Sequence, residues 1–527
     1  MRRGWREVWL ERSWLLLLSE RCAGNGLSGR SILDIGFGFR QRHEKRSTGL
    51  SWYPVRPGSV PIHPSATTHC PVAFKTINPT DGTLLRRYPF ISPIALDDAL
   101  ATARAAQFAW RRVPAEERAA RVTALAEHLR SRIRRLAEVM AIEMGKPLGE
   151  AAAEIEKCAS GCEFYGARGP GFLADQVVET ESHKSYVTFQ PLGLVLAIMP
   201  WNFPFWQVMR ASVPALIAGN GVLLKHAPNV PMCALELAAL FRDAGFPDGI
   251  FTNLFIDVAT TGALIRDARV QAVTLTGSTR AGREVAALAG SRIKSCVLEL
   301  GGSDPYVVLE DAELPRTVEA CVTGRMINGG QSCIAAKRMI VHEAVADGFT
   351  EAVVERMAAV RVGDPMAEMT DVGPLAREDL RDNLAAQVAR SIEAGAKCLL
   401  GGEVPDVPGW YYPATVLTEV GPGMPAWDEE LFGPVACIIR AGSEEDALRI
   451  ANDTAYGLGA AVFTRDLERG ERIARTELEA GSCFVNDFVK SDPRLPFGGV
   501  KSSGFGRELS EFGMREFVNV KTVRVER

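Results

Sequence analysis

One cysteine of the chain stands in a setting that suits a nucleophile. Cys333 follows the polar, glycine-rich segment Asn328-Gly329-Gly330-Gln331-Ser332. A thiol behind such a loop is accessible, and the backbone N–H groups of the turn can lower its pKa and stabilise an adjacent oxyanion. A lone cysteine is more often a small buried residue of the core, so this segment alone supports both interpretations.

A carboxylate is the second candidate for chemistry. Glu299 ends an apolar run, residues 296–298, and precedes Leu300-Gly301-Gly302. A charge is costly to bury there without a partner, and the two glycines indicate backbone that turns sharply or approaches a ligand. Glu299 is therefore a candidate base, although a carboxylate that turns into solvent at a strand end would give the same pattern.

Polar groups follow other predicted strands as well. Asn202 lies in Pro200-Trp201-Asn202-Phe203-Pro204 and offers an amide donor in a fixed turn, and Lys225 ends an apolar run. Gly277-Ser278 opens a predicted helix, whose first N–H groups suit a phosphate. That segment continues to Gly282-Arg283-Glu284 and lacks the Gly-Lys-Ser/Thr of a P-loop, which disfavours an ATPase. Each segment alone is also typical of an ordinary turn.

The elements that would position these residues alternate along the chain. Apolar residues at helical spacing predict one helix over residues 114–140 and a second over 148–164. The predicted strands are residues 194–199, 222–224, 272–275, 296–298, 306–309, 339–341, 437–439 and 460–463, and the tail over 517–525 resembles an exposed strand. Further helices are predicted over 232–244, 344–360 and 444–451. This alternation indicates an α/β fold with largely parallel sheets.

Length and composition exclude several classes of protein. The 527 residues suggest two or three domains, and 47% hydrophobic with 24% charged residues is typical of a soluble globular chain. A net charge of −4 gives no reason to expect a nucleic acid or a membrane as partner. Eleven cysteines without a CxxC pair predict reduced thiols and a cytoplasmic location, and seven histidines in no ligand pattern predict no metal site.

The first 71 residues differ from the rest of the chain. They are rich in arginine and, after Ser51, in proline and serine, without a sustained helical or strand period. Their longest apolar run, residues 14–18, is too short to span a bilayer. We interpret residues 1–71 as a disordered extension or the product of a wrongly assigned start codon. A transit peptide is the alternative, and the acidic residues of the segment count against it.

Six segments, taken together and in order, resemble the aldehyde dehydrogenase superfamily over about residues 72–527. They are Pro200-Trp201-Asn202-Phe203-Pro204, Thr276-Gly277-Ser278 with Gly282, Glu299-Leu300-Gly301-Gly302, Gly330-Gln331-Ser332-Cys333, Glu430-Leu431-Phe432-Gly433-Pro434 and Pro496-Phe497-Gly498-Gly499-Val500-Lys501. Within the superfamily, residues 197–204, 224–230 and 300–305 resemble the bacterial NAD(P)-dependent succinate-semialdehyde dehydrogenases.

The resemblance implies an aldehyde dehydrogenase-like α/β fold with a Rossmann-like cofactor domain, an α/β catalytic domain and a small β bridging element. We expect the cofactor domain at residues 72–170 and 190–301 and the catalytic domain at 302–516. The bridging hairpin is expected at 171–189 and an oligomerisation strand at 517–527. These two segments would then assemble a homodimer or homotetramer.

The resemblance also implies a mechanism. Glu299 deprotonates Cys333, directly or through water, and the thiolate attacks an aldehyde. The Asn202 side chain and the Cys333 backbone N–H hold the oxyanion. Hydride then passes to NAD or NADP, and water hydrolyses the resulting thioester with Glu299 as base. The implied cofactor-binding residues are Pro200, Trp201, Lys225, Ala227, Pro228, Gly277, Ser278, Leu300, Glu430 and Phe432.

Three departures from the family pattern bear on specificity. Pro228 stands where tight NAD binders often carry a carboxylate, so a 2′-phosphate should be admitted. Ile327 stands where some semialdehyde dehydrogenases place a substrate arginine, whereas Arg210 matches another one. Ala335 replaces a second cysteine and removes a disulfide switch.

Some alternatives stay open at this point. Arg325 and Arg494 are candidates for a second substrate contact, although ordinary structural or salt-bridge roles are the simpler interpretation. A CoA-acylating or broad-specificity aldehyde dehydrogenase and a non-catalytic protein on the same fold are the alternatives to a hydrolytic semialdehyde dehydrogenase.

Overall fold

A computed structural model of the protein describes residues 74–527. The predicted extension over residues 1–71 lies outside the described residues. The described part contains two large sheets of mostly parallel strands with helices packed between and around them. The α/β fold class predicted from the sequence is confirmed. Within the same residues, no helix combines the length and the apolar character needed to cross a bilayer.

The helices and strands are numbered in chain order. The helices are α1 Pro93–Trp110, α2 Ala115–Ser131, α3 Ile133–Met144, α4 Leu148–Phe172, α5 Trp206–Ile217, α6 Pro231–Asp243, α7 Val258–Arg266, α8 Thr279–Gly290, α9 Leu314–Met326, α10 Glu343–Ala358, α11 Glu378–Glu393, α12 Pro425–Asp428, α13 Glu444–Asn452, α14 Leu467–Thr476 and α15 Ser510–Arg515. The strands are β1 Phe74–Ile77, β2 Leu84–Tyr88, β3 Gln176–Val177, β4 Lys184–Pro191, β5 Leu194–Met199, β6 Gly221–His226, β7 Phe251–Asn253, β8 Val270–Thr276, β9 Ser295–Glu299, β10 Pro305–Val308, β11 Arg338–His342, β12 Lys397–Leu400, β13 Thr415–Thr418, β14 Val435–Ala441, β15 Gly459–Phe463, β16 Ser482–Val485, β17 Gly504–Phe505 and β18 Val518–Val525.

The first large sheet has six strands in the order β17-β9-β8-β5-β6-β7, parallel except where β17 pairs with β9. Its strands are near-continuous apolar runs because helices cover both faces. Successive residues of β5 accordingly enter two different cores, Leu194 and Leu196 on one side and Val195 and Ala197 on the other. The connections after β5 and β8 leave the sheet in opposite directions, which opens a crevice at their carboxyl ends.

The second large sheet has seven strands in the order β12-β13-β14-β11-β10-β15-β16, parallel except where β12 pairs with β13. Tyr306 and Val308 of β10 face one core, and Val307 faces another. Between β10 and β11 the chain runs through α9 and then through the loop that precedes Cys333. The nucleophile predicted from the sequence is therefore placed by a strand–helix–strand unit of this sheet.

A small third sheet joins distant parts of the chain in the order β18-β4-β3. The terminal strand β18 runs antiparallel to β4 from the pair Val518–Pro191 to the pair Val525–Lys184. The segment predicted as a hairpin therefore holds two strands, and the predicted terminal strand is present.

Three boundaries differ from the predictions. The helix predicted over residues 114–140 is two helices, α2 and α3, because Arg132 leaves the helical region with a φ of −117°. The helix predicted to end at residue 164 continues to Phe172, past Pro170, so the first residues assigned to the hairpin are helical. Strand β17 lies inside the segment assigned to the catalytic domain but extends the six-stranded sheet. The domain boundaries stay a prediction.

Candidate active site

The loop before Cys333 has an unusual backbone. Asn328, Gly329 and Gly330 all have positive φ values, 59°, 59° and 73°. Glycine adopts this left-handed region without strain, and asparagine is among the few other residues that tolerate it. A side chain at Gly330 would also collide with the backbone carbonyl of Gly433. The glycines that mark this motif in the sequence are therefore required by the shape of the loop.

The predicted oxyanion donor, Asn202, is buried and its amide is fixed in orientation. Its Nδ2 donates to the Gln331 carbonyl at 3.0 Å, and its Oδ1 accepts from Gln207 Nε2 at 3.0 Å. Its backbone carbonyl accepts from Lys146 Nζ at 3.0 Å and from Asn328 Nδ2 at 2.8 Å. One N–H of the amide is thus used by the cysteine loop, and the other is left for a ligand.

Cys333 is half-buried and lines a cavity with about 590 Å³ of empty space, which Arg210 also lines. Burial raises the pKa of the Cys333 thiol to about 12, while the positive charges of Arg210 and Lys337 oppose the shift. Desolvation of the thiolate exceeds these favourable charges and so opposes the lowering that the loop N–H groups can provide. Lys337 Nζ donates to the Cys333 carbonyl at 2.7 Å and so helps to hold the residue.

Glu299, the predicted base, lies at the end of β9 with 2% of its surface exposed. Neither carboxylate oxygen has a hydrogen-bond partner among the described residues. Burial and the negative charge of Glu508 hold the pKa of Glu299 well above its usual range, while Arg210 and Arg507 oppose the shift. An unpartnered buried charge is very costly, so burial favours the protonated form of Glu299, which must lose that proton before it can act as a base.

Arg210 forms a buried ion pair with Glu508 next to these two groups. Its guanidinium also donates to Thr276 Oγ1 at 3.3 Å and lies 4.9 Å from the centre of the Phe497 ring. Sequence reasoning missed Glu508, which sits in the polar segment after Gly506 and looks like a surface residue. Nothing in the sequence signals that a residue 298 positions away neutralises Arg210.

Most predicted cofactor residues gather at one edge of the six-stranded sheet. Pro200 and Trp201 follow β5, and Gly277 and Ser278 follow β8. Lys225 is the penultimate residue of β6, Ala227 and Pro228 come directly after that strand, and Leu300 follows β9. The carboxyl ends of neighbouring parallel strands meet at the same edge, where α/β sheets bind ligands. Burial lowers the pKa of Lys225.

The N-terminus of α8 has features of an anion-binding site. Ser278 is exposed, and its Oγ accepts from the Ala281 N–H at 3.3 Å. Gly282 packs so closely on the Leu300 side chain that a Cβ would not fit. The second Gly of this segment is thus explained by helix–strand packing, and the other N–H groups of the first turn have no acceptor within the helix.

Glu430 and Phe432 reach the same edge from the loop before β14. Glu430 Oε1 accepts from the Gly302 N–H at 3.1 Å and pairs with Lys337 Nζ at 3.1 Å. The Phe432 ring packs edge-on against Trp201 at a centroid distance of 5.8 Å. These contacts join the two large sheets next to the cysteine loop. Lys337, which contacts both Glu430 and the Cys333 carbonyl, was not predicted.

The two further arginines considered as substrate contacts do not line the cavity. Arg325 is fully buried, and its Nη2 donates to the Gly330 carbonyl at 2.6 Å. Arg494 pairs with Asp492 at 2.6 Å on the surface. Arg325 therefore supports the cysteine loop, and Arg494 is an ordinary salt-bridge residue.

Comparison with known proteins gives consistent matches. The chain matches the sequence profile described as "Aldehyde dehydrogenase family" over residues 67–523. It is 47% identical to a Synechocystis sp. protein named "Probable succinate-semialdehyde dehydrogenase [NADP(+)]", over 86% of this chain and 99% of the relative. It is also 47% identical to the Escherichia coli protein named "Succinate semialdehyde dehydrogenase [NAD(P)+] Sad", over 86% of this chain and 98% of that one.

A solved structure extends these matches to the fold. The succinic semialdehyde dehydrogenase of Streptococcus pyogenes, solved in complex with NADP+, superimposes with a TM-score of 0.84 at 36% identity. The superposition covers 86% of this chain and 100% of the other.

Proposed function

Because the chain belongs to the aldehyde dehydrogenase family, we propose that it oxidises succinate semialdehyde to succinate with NADP or NAD as the electron acceptor. The observation that carries the proposal is the cavity that Cys333 shares with Arg210 and two lysines. It offers a thiol to an aldehyde carbon and a positive charge to a carboxylate. The names of relatives that are 47% identical support the same substrate.

The first step of the proposed reaction is attack by Cys333 on the aldehyde. Because its pKa is raised to about 12, a base must remove the thiol proton before attack. Glu299, once ionised, is the base, and water carries the proton between them, since Glu299 makes no hydrogen bond to the thiol. The free N–H of Asn202 then holds the oxyanion together with the Cys333 N–H, each contributing about 3–4 kcal/mol.

The residues at the sheet edge fit a dinucleotide. Lys225 forms no ion pair within residues 74–527 and is free to bind ribose hydroxyls. Ser278, which opens a helix of twelve residues, would hold the pyrophosphate, and Glu430 would hold the nicotinamide ribose hydroxyls. Pro228 supplies no anion that would repel a 2′-phosphate, which admits NADP beside NAD.

The bound nicotinamide supplies a two-electron acceptor for the hydride of the substrate carbon. Loss of that hydride leaves an acyl group on Cys333 as a thioester. Glu299 releases the first proton to solvent. Water then attacks the thioester, and Glu299 accepts the proton of that water. The acid is released, and the cysteine returns to its starting state.

The proposed substrate is tested with two aldehydes of four carbons, succinate semialdehyde and butanal. A charge-assisted contact to the carboxylate should give succinate semialdehyde a kcat/KM about 10- to 100-fold higher. Steady-state rates with NADP and with NAD measure this, and Cys333→Ala should abolish turnover with both aldehydes. Equal kcat/KM values for the two aldehydes in the unmodified protein would refute the substrate assignment.

A CoA-acylating enzyme is the competing activity. It would resolve the thioester with a thiol and would not need Glu299 to activate water. Product analysis with and without CoA separates the two. We expect the free acid in both cases and a rate that CoA does not change.

We also infer that the protein is a cytoplasmic homodimer or homotetramer. Strand β18 forms one edge of the small sheet, and an open edge with exposed valines such as Val520 and Val525 favours pairing with a second copy. All nine cysteines of the described residues are free thiols, as in proteins of a reducing compartment.

A further inference from the structure

Lys157 of α4 lines the same cavity as Cys333 and Arg210, although no motif of the sequence pointed to it. Its Nζ donates to Ser491 Oγ at 2.8 Å and lies 4.7 Å from the centre of the Trp206 ring. Trp206 Nε1 donates to the same hydroxyl at 3.2 Å. Neutral groups therefore hold the ammonium group in place without neutralising its charge.

The charge balance of the cavity distinguishes Lys157 from its neighbours. Lys157, Arg210 and Lys490 are the cations among the described residues that line it, and no carboxylate lines it. Arg210 is paired with buried Glu508, and Lys490 with Asp487 at 2.6 Å. Within residues 74–527, Lys157 alone of these three has no ion pair. The cavity wall thus carries one uncompensated positive charge.

We propose that Lys157 binds the terminal carboxylate of the substrate and thereby selects aldehydes that carry one. The inference rests on the proposed function and assigns its charge recognition to a different residue from Arg210. The guanidinium of Arg210 is already held in an ion pair with Glu508, and its charge favours the ionised forms of Cys333 and Glu299. Ile327, which also lines the cavity, is apolar and cannot supply the charge.

The ionisation of Lys157 gives the proposal a second signature. Burial, followed by the positive charge of Arg210, lowers the pKa of Lys157 to about 8, while Cys158, Glu154 and Asp492 oppose the shift. The cation is therefore lost as the pH rises through about 8 in the free protein. A substrate carboxylate should lose affinity over the same range, whereas an uncharged aldehyde should not.

The test compares Lys157→Met with Lys157→Arg and with the matched control Lys490→Met. For succinate semialdehyde we expect Lys157→Met to raise KM about 10- to 100-fold, Lys157→Arg to restore most of the affinity, and Lys490→Met to change KM less than about threefold. For butanal all three variants should keep the kcat/KM of the unmodified protein. Succinate should raise the unfolding temperature of the unmodified protein and not that of Lys157→Met.

A second measurement needs no variant. The ratio of kcat/KM for succinate semialdehyde to that for butanal, followed from pH 6.5 to 9.5, should fall through about pH 8, and effects of Cys333 and Glu299 cancel in the ratio. A pH-independent ratio, or a Lys157→Met variant that impairs both aldehydes equally, overturns the role of Lys157. Absence of any preference in the unmodified protein is a different result, because it removes the proposed function itself.

Discussion

At the scale of single residues, the site holds two protons that the proposed chemistry must displace. Burial raises the pKa of Cys333 to about 12 and that of Glu299 well above its usual range. Arg210 is the group that acts on both, since its positive charge favours the ionised form of each. The ion-pair partner of Arg210, Glu508, has the opposite effect on Glu299, because its negative charge raises the pKa of that residue.

Replacing Glu508 by glutamine separates the effect of the Glu508 charge on the pKa of Glu299 from that of the Arg210 charge. The variant loses the negative charge that raises the pKa of Glu299, so Glu299 should ionise at lower pH. We expect the acidic limb of the kcat–pH profile to move down by about one pH unit. The unfolding temperature should fall as well, because Arg210 keeps only a neutral partner.

The kcat–pH profile of Glu508→Gln is measured with saturating aldehyde and cofactor. Glu511→Gln is the matched control, since Glu511 pairs with Arg515 on the surface and should leave the profile in place. If the acidic limb of the kcat–pH profile of Glu508→Gln stays in place or moves to higher pH, Glu508 does not raise the pKa of Glu299.

At the scale of elements, two helices and one loop present the nucleophile. The Asn328 N–H donates to both carboxylate oxygens of Glu150 in α4, at 3.1 and 3.0 Å. Arg325 at the end of α9 donates to the Gly330 carbonyl at 2.6 Å. The left-handed backbone between these anchors has little freedom to relax, so the position of Cys333 depends on the glycines.

Gly330→Ala and Gly82→Ala form a matched pair that measures this dependence. Their φ values are 73° and 75°, so the strain of a left-handed alanine, about 1–2 kcal/mol, is common to both. A Cβ at residue 82 meets open space, whereas one at residue 330 meets the Gly433 carbonyl. We expect turnover to fall about 100-fold in Gly330→Ala and to stay unchanged in Gly82→Ala.

Turnover and thermal unfolding of the two variants together test whether the loop backbone positions Cys333. If the loop positions Cys333, both variants should lose a similar amount of unfolding temperature, and only Gly330→Ala should lose activity. Full activity in Gly330→Ala would show that the loop does not set the nucleophile.

The strands were predictable because their apolar runs are local signals. Strand β5 has the bounds predicted for it, and the predicted strands over residues 272–275 and 460–463 lie within β8 and β15. The break at Arg132 was not predictable, since the apolar spacing continues through it. Helix α4 runs past Pro170, beyond the end predicted at residue 164, because a proline near the last turn costs few hydrogen bonds.

Charged residues of the site were harder to predict than its motifs. Lys157 and Glu508 lie in segments whose local composition is that of a solvated surface. Their burial depends on elements that are distant in the chain, Ser491 for the lysine and Arg210 for the glutamate. A local sequence pattern predicts the helix or turn in which a charged residue lies, but it does not identify the distant residues that the side chain contacts in the folded protein.

At the scale of the whole molecule, the family and the fold class predicted from the sequence are confirmed. The six-stranded sheet places Asn202 and Glu299, and the seven-stranded sheet places Cys333. The C-terminal segment is held to distant parts of the chain. Strand β18 pairs along the full length of β4, and Asn220 Nδ2 donates to the Phe517 carbonyl at 2.9 Å. The last residues thus stabilise a strand that begins more than 300 positions earlier.

Removal of residues 518–527 should therefore lower the unfolding temperature and reduce the assembly to a monomer, because β4 loses its main partner and the sheet loses its exposed edge. Sedimentation velocity and thermal unfolding measure the two effects. Removal of residues 526–527 alone spares β18 and should change neither. If the longer truncation kept its full particle mass, the small sheet would not be the assembly surface.

A sulfur atom that keeps its proton is a poor target for peroxides and alkylating agents, which react with the thiolate. With a pKa of about 12, Cys333 is almost entirely neutral near pH 7, so molecules waiting for substrate are chemically shielded. Oxidative damage then falls on the short interval in which Cys333 has lost its proton and the carbonyl has not yet been attacked.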